Sequence, residues 1–214
     1  MLAGQCAYAL PGEPFSQVFE AGASAHRPGD DVPTSTTDYP AYAGGFGWLG
    51  GTADVLLAMG HRFDRVVLDA GNVDLRGRIN SSYLGPRERP RCGCQVVGVP
   101  PTSRRRHGTG AAARSLDPRR IVRAVEHVTA APAPDAMVRL HTRWGVVRLG
   151  AAPRLEEVAT DGEVLRAHLT ALGVPVDGAA PRPPVTAAER AAAVGVLRRA
   201  AVRGYSVAKG TDRG

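Results

Sequence analysis

The chain has 214 residues, 43% hydrophobic but only 5% aromatic, with 26 Gly, 17 Pro and three Cys. That length supports one ordinary core, or one core and a small appendage. Three cysteines are too few for a disulfide framework, and no apolar run approaches the roughly eighteen residues of a membrane span.

The net charge of +7 is unevenly spread, with −5 in residues 1–60, +10 in 61–150 and +2 in 151–214, and Lys209 is the only lysine among 27 basic residues. A field of that size draws acidic or phosphate-bearing partners and says nothing of fold. With few aromatics, packing rests on Val, Leu and Ala, which suits α/β layers. The predicted class is α/β: a small single sheet with flanking helices, a helical C-terminal third and an irregular basic insertion. The N-terminus has neither a basic region nor a long apolar run, so a cytoplasmic address with free thiols is expected.

Gln5 to Leu10 predicts a short strand, stopped by Pro11-Gly12. Ala23 to Tyr42 has loop chemistry, because its Ser, Thr and Asp side chains bond to their own backbone. Thr52 to Met59 predicts a helix with Val55, Leu56 and Met59 on one face and Gly60 beyond its end. Arg65 to Asp69 predicts a buried strand, and Gln95 to Val99 a second apolar run closed by Pro100-Pro101.

Residues 85–116, with four prolines and Arg104-Arg105-Arg106, hold too few apolar groups to offset the entropy of ordering. Asp117-Pro118 is an N-cap and N1 pair, and Ile121, Val122, Val125 and Val128 continue it as a helical stripe. Met137 to Leu149 alternates as a hairpin turning near Arg143 to Gly145. Thr160 with Glu163 and Thr186 with Glu189 have capping-box spacing, one helix ending at Gly173 and the other near Gly204. The expected organisation is an N-terminal segment 1–84 with a Gly-rich loop, a flexible basic linker 85–116 and an α/β part 117–214.

Gly45-Phe-Gly47-Trp-Leu-Gly50 matches G-x-G-x-x-G ahead of the Thr52 helix, with Asp69 twenty-four residues beyond Gly45. Glycines let a phosphate approach backbone N–H groups at a helix start, and the acid takes a ribose hydroxyl. Gly45, Gly47, Gly50 and Asp69 are therefore candidate cofactor-binding residues; a glycine loop without ligand is the alternative reading.

Gly45 to Leu75, with Leu49-Gly50, Leu57-Ala58, Val66-Val67-Leu68-Asp69 and Val73-Asp74-Leu75, resembles the nucleotide-binding segment of E1-like, ThiF-type adenylating proteins. The resemblance implies ATP, with Asp69 near ribose or metal and Arg76 or Arg78 near phosphates. Leu10-Pro-Gly-Glu-Pro-Phe15, Val32-Pro-Thr34 and Tyr39 are similar to a piece of neutral ceramidase-type amidases, which implies zinc near Glu13 and Tyr39.

Twelve arginines against two acids lie between Arg76 and Arg123. Guanidinium groups make bidentate contacts to phosphate, so Arg76, Arg78, Arg104, Arg105 and Arg106 are candidate phosphate or nucleic-acid contacts; a solvated basic loop is the other reading. The six histidines show no metal-ligand spacing and no G-x-S-x-G elbow occurs, so neither a metal site nor a catalytic residue is assigned. The functional expectation is a nucleotide- or phosphate-ligand-binding α/β protein with catalysis left open and no cofactor named. Its alternative is a noncatalytic nucleic-acid-binding or adaptor protein. No membrane partner is expected.

Overall fold

A computed structural model describes residues 2–12, 14–19, 22–25, 31–34, 38, 43, 46–59, 63–68, 70–84, 91–92, 109–112, 117–134 and 136–205. In chain order its elements are α1 (Leu2–Tyr8), β1 (Gln17–Val18), β2 (Ala23–Ala25), β3 (Phe46–Leu49), α2 (Thr52–Met59), β4 (Val67–Leu68), β5 (Asn72–Asp74), β6 (Ile79–Asn80), β7 (Tyr83–Leu84) and β8 (Arg91–Cys92). There follow β9 (Thr109–Ala112), a 3-10 turn (Pro118–Arg120), β10 (Ile121–Val122), β11 (Val138–His141), β12 (Gly145–Leu149), β13 (Arg154–Val158), α3 (Glu163–Ala171), β14 (Ala180–Pro181) and α4 (Ala187–Val202). The mixed α/β class is as predicted, with small sheets and flanking helices. The described strands divide among four sheets instead of one. Among the described residues no helix is long and apolar enough to cross a membrane.

The chain forms two compact units, 1–56 with 184–214, and 57–183. In the first, α1 lies on α4, and Val32, Val196 and Ala200 form a buried cluster flanked by Leu2, Cys6, Leu197 and Tyr205. The predicted strand at Gln5 to Leu10 is therefore a helix, because its apolar residues find their partners on α4 and no sheet partner. Cys6 is a free thiol whose ionisation burial pushes up. The segment before Asp38 is tied to the end of α4: Tyr205 donates its hydroxyl hydrogen to Pro33 O, and Arg203 Nη2 reaches Asp38 Oδ2 at 3.3 Å.

The capping box at α4 is present in full. Thr186 Oγ1 accepts the Glu189 N–H at 3.2 Å, and Glu189 Oε2 accepts the Thr186 N–H at 2.8 Å. Those bonds from Thr186 hold the Glu189 carboxyl below its usual range. Thr186→Ala removes the hydroxyl and is expected to lower the unfolding midpoint by about 2–4 °C, read by calorimetry; an unchanged midpoint would show that the cap is idle.

In the second unit a six-stranded sheet has the order β14-β13-β12-β11-β9-β4. The predicted hairpin is its centre: β11 and β12 pair antiparallel with Val138 opposite Leu149 and Leu140 opposite Val147. Along β11 burial alternates, with Val138 and Leu140 inside and Arg139 and His141 outside. Of the expected Arg65–Asp69 strand, Val67 and Leu68 form β4; Val66 before it is buried, but Val67 is 71% exposed and β4 lies at the edge of the sheet, so it is not a buried strand.

The helix expected after Asp117-Pro118 stops after one 3-10 turn, although Asp117 does cap it. Ile121 and Val122 then run parallel to Val73 and Asp74, and Ile121 is wholly buried. Their spacing suits a helix while their β-branched side chains suit a strand, and the ladder offered by β5 settles the contest. The apolar run 95–99 lies outside the described residues.

Candidate functional site

Three segments distant in sequence meet in the second unit around a cleft of about 560 Å3, lined by Asp117, Pro118, Arg119, Arg143, Trp144, Val164 and His168. The 3-10 turn supplies one wall. Asp117 accepts the Arg119 backbone N–H at 3.0 Å and its Nε–H at 2.8 Å on the other oxygen. These bonds, the side-chain one first, hold the Asp117 carboxyl down to about 2. A carboxylate so fixed stays ionised at neutral pH and is a poor proton acceptor. Its work is to aim the exposed Arg119 guanidinium.

The second wall is the β11–β12 turn. Thr142 Oγ1 accepts the N–H of Trp144 and of Gly145 at 3.2 and 3.1 Å. Arg182 donates from Nη2 to Thr142 O at 2.9 Å and from Nη1 to Arg143 O at 3.0 Å. With both carbonyls gripped by a planar fork, the turn holds one shape. Arg143 lies over the Trp144 ring, 4.6 Å from its centroid, which gives a flat aromatic surface topped by a cation.

The third wall is α3. The helix is capped at Gly162 instead of Thr160, because its start presses on the turn: a Cβ on Gly162 would stand 2.4 Å from Val158 Cγ2 and 2.6 Å from Trp144 O. Val164 and His168, four residues apart, share a helix face at the cleft. His168 Nε2 lies 2.8 Å from Ile121 O. Leu165 and Leu169 are fully buried behind them, and Gly173, with φ +76°, ends the segment as expected.

The structure distributes the sequence-predicted residues differently. Gly47 is the bulge residue of β3, without a register partner between Ser24 opposite Trp48 and Ala25 opposite Phe46. Gly50 donates its N–H to Gly22 O at 2.9 Å, and a Cβ on Gly22 would stand only 1.8 Å from Gly50 O. Close backbone packing thus requires glycine at Gly22, and Gly47 stands at the bulge. Arg76 and Arg78 share the β5–β6 turn, where Arg78 Nε and Nη2 each reach Asp74 Oδ2 at 2.7 Å. Arg123, also of the basic belt, donates to Leu172 O at the end of α3.

Gly45, Asp69, Arg104, Arg105 and Arg106 lie outside the described residues, as do Glu13 and Tyr39. Among the described residues no group of three His, Cys, Asp or Glu side chains stands together to hold a metal ion. Sequence reading included Arg119 in the belt and Arg143 in the hairpin turn, but no signal joined them to Trp144 and His168.

His141 lies on the outer face of β11. Burial, partly offset by Glu157, holds its imidazole below the usual histidine range. The unfolded chain therefore binds its proton first, at about pH 6.5, so this histidine costs stability as pH falls below that value. His141→Gln is expected to flatten the stability profile on the acid side of pH 6.5. A wild-type and variant difference constant from pH 7.5 to 5 would exclude the effect.

No protein-family model matches the chain, and no curated protein matches it in sequence. Solved structures do match in fold. The decarboxylase AibA/AibB aligns at a TM-score of 0.70 with 22% identity, over 91% of this chain and 81% of that one. Glutaconate coenzyme A-transferase from Acidaminococcus fermentans aligns at 0.67 with 13% identity, over 89% and 81%. Rhodococcus jostii RHA1 IpdAB aligns at 0.59 with 15% identity, over 87% and 78%. These likenesses correct the functional expectation. The fold is shared with a decarboxylase and a coenzyme A-transferase, so neither the nucleotide- or phosphate-ligand-binding reading nor the nucleic-acid-binding alternative stands. Of the residues that suggested them, Gly47 stands at a strand bulge, Gly50 is bonded to Gly22, and Arg78 is paired with Asp74.

Proposed function

We propose that this chain is an acyl-coenzyme A-handling enzyme, with the cleft between the 3-10 turn, the β11–β12 turn and α3 receiving the thioester. The observation that carries the reading is the fold, matched over 91% of the chain to a decarboxylase and over 89% to a coenzyme A-transferase. A coenzyme A-transferase works on a thioester, whose carbonyl oxygen takes up negative charge when a nucleophile adds to it or when an adjacent carbon loses a proton. A protein assists by placing a cation where that charge develops and an apolar wall beside it. Pro118, Trp144 and Val164 supply the wall, and Arg119 and Arg143 the cations. In keeping with the paired names AibA/AibB and IpdAB, the working enzyme joins this chain to a second one.

The test is thermal unfolding with acetyl-coenzyme A. At a hundred times its Kd the ligand adds about 2.7 kcal/mol, a rise of roughly 5–10 °C for a chain of this size. Trp144→Ala, at a half-buried turn position, is expected to remove that rise while leaving the ligand-free midpoint within a few degrees. Absence of any rise for the wild-type chain with acetyl-coenzyme A would overturn the reading.

A further inference from the structure

We propose that His168 is the proton-transfer group of the cleft, exchanging a proton with the bound acyl group through Nδ1. The substrate rests on the acyl-coenzyme A reading, and the ring is held by a hydrogen bond that admits one direction only. Ile121 O has no hydrogen to give, so the contact of 2.8 Å requires His168 Nε2 to carry the proton and donate it. In the neutral ring Nδ1 then holds the free lone pair. It has no hydrogen-bond partner among the described residues, and the ring lines the cleft.

The carbonyl that fixes the ring is itself held. Ile121 is wholly buried and paired in register with Val73, so the imidazole is anchored from behind by a strand. The charged groups that line the cleft with it are Asp117 and Arg119 from the 3-10 turn and Arg143 from the hairpin turn. Asp117, bonded to Arg119, is no competitor for the proton.

The step balances without a further reagent. Nδ1 takes the proton from the carbon next to the thioester carbonyl, and the C–H electron pair becomes the carbon–carbon double bond of the enolate. The charge moves to the thioester oxygen, beside Arg119 or Arg143, and the ring becomes imidazolium. Return of the proton to the same carbon restores both partners. In heavy water the returned particle is a deuteron.

The experiment has two readouts on the full chain. Nitrogen-15 NMR of the histidine rings is expected to show His168 as the Nε2–H tautomer in its neutral form; an Nδ1–H tautomer overturns the proposal whatever the substrate. Acetyl-coenzyme A in heavy water is expected to gain deuterium in its methyl group in the presence of the chain. His168→Gln keeps an N–H donor for Ile121 O but offers no basic nitrogen, so exchange should fall at least about a hundredfold with the unfolding midpoint retained. Exchange that survives in His168→Gln overturns the role, as does wild-type stabilisation by acetyl-coenzyme A without exchange. Failure of acetyl-coenzyme A to stabilise the chain at all would instead count against the acyl-coenzyme A reading.

Discussion

Replacing Asp74 by alanine is expected to cost about 3–5 kcal/mol of folding free energy, a large part of the total of roughly 5–15 kcal/mol for a domain. The side chain is completely buried. Its Oδ1 accepts the N–H of Arg76 and of Arg78, each at 3.0 Å, while Oδ2 accepts Arg78 Nε at 2.7 Å and the Val125 N–H at 3.3 Å. One carboxylate thus closes the β5–β6 turn and ties it to the segment after β10. Alanine leaves three backbone donors and a guanidinium without their acceptor, and each buried donor left unmade costs about 1–3 kcal/mol. Urea unfolding measures the loss. A value under about 1 kcal/mol would mean that water replaces the carboxylate and that the turn is not closed by it. Gly77 completes the same turn with φ +82° and lies so near Val138 that a Cβ would stand 2.9 Å from Val138 Cγ2.

Leu165→Ala is the second large effect, with an expected loss of about 2–5 kcal/mol from lost transfer energy and the cavity left behind. Leu165 is fully buried on α3, with Cδ2 placed over Gly145 of β12. Filling the cavity by Gly145→Ala should fail, because the new Cβ would stand 2.3 Å from Glu157 O, a backbone atom that cannot step aside. The double variant is therefore expected to be less stable than Leu165→Ala alone. Rescue by the second substitution would show that β12 and β13 can part at their bulge. If the cleft takes an acyl-coenzyme A as proposed, the same loss should weaken acetyl-coenzyme A binding before the chain unfolds, because α3 also carries Val164 and His168. Trp144 fluorescence during titration would follow that effect.

The candidate site was legible only in pieces. Arg143 to Gly145 could be read as a turn, and the helix carrying His168 could be read from the Thr160 and Glu163 spacing and from Gly173. That these turns face one another depends on the pairing of β11 with β12 and on contacts between α3 and the 3-10 turn, which span nearly fifty residues. Periodicity has no access to such distances. The G-x-G-x-x-G spacing is ambiguous for the same reason: a glycine suited to a phosphate is also suited to a bulge or to a passing carbonyl, and Gly22, which supplies the carbonyl bonded by Gly50, lies outside the motif.

By itself the sequence determined what depends on neighbours in the chain. The capping box of Thr186 and Glu189, the alternation of Val138 to Leu149, the helix at Thr52 and the mixed α/β class all arise from interactions a few residues long. Tertiary structure alone decided the cases in which local preference was balanced. Leu2–Tyr8 became a helix on meeting α4, Ile121 and Val122 became a strand beside Val73 and Asp74, and Arg119, Arg143, Trp144 and His168 came together around one cleft. In each case the free energy that chose between near-equal local conformations came from burial and backbone pairing with residues remote in sequence.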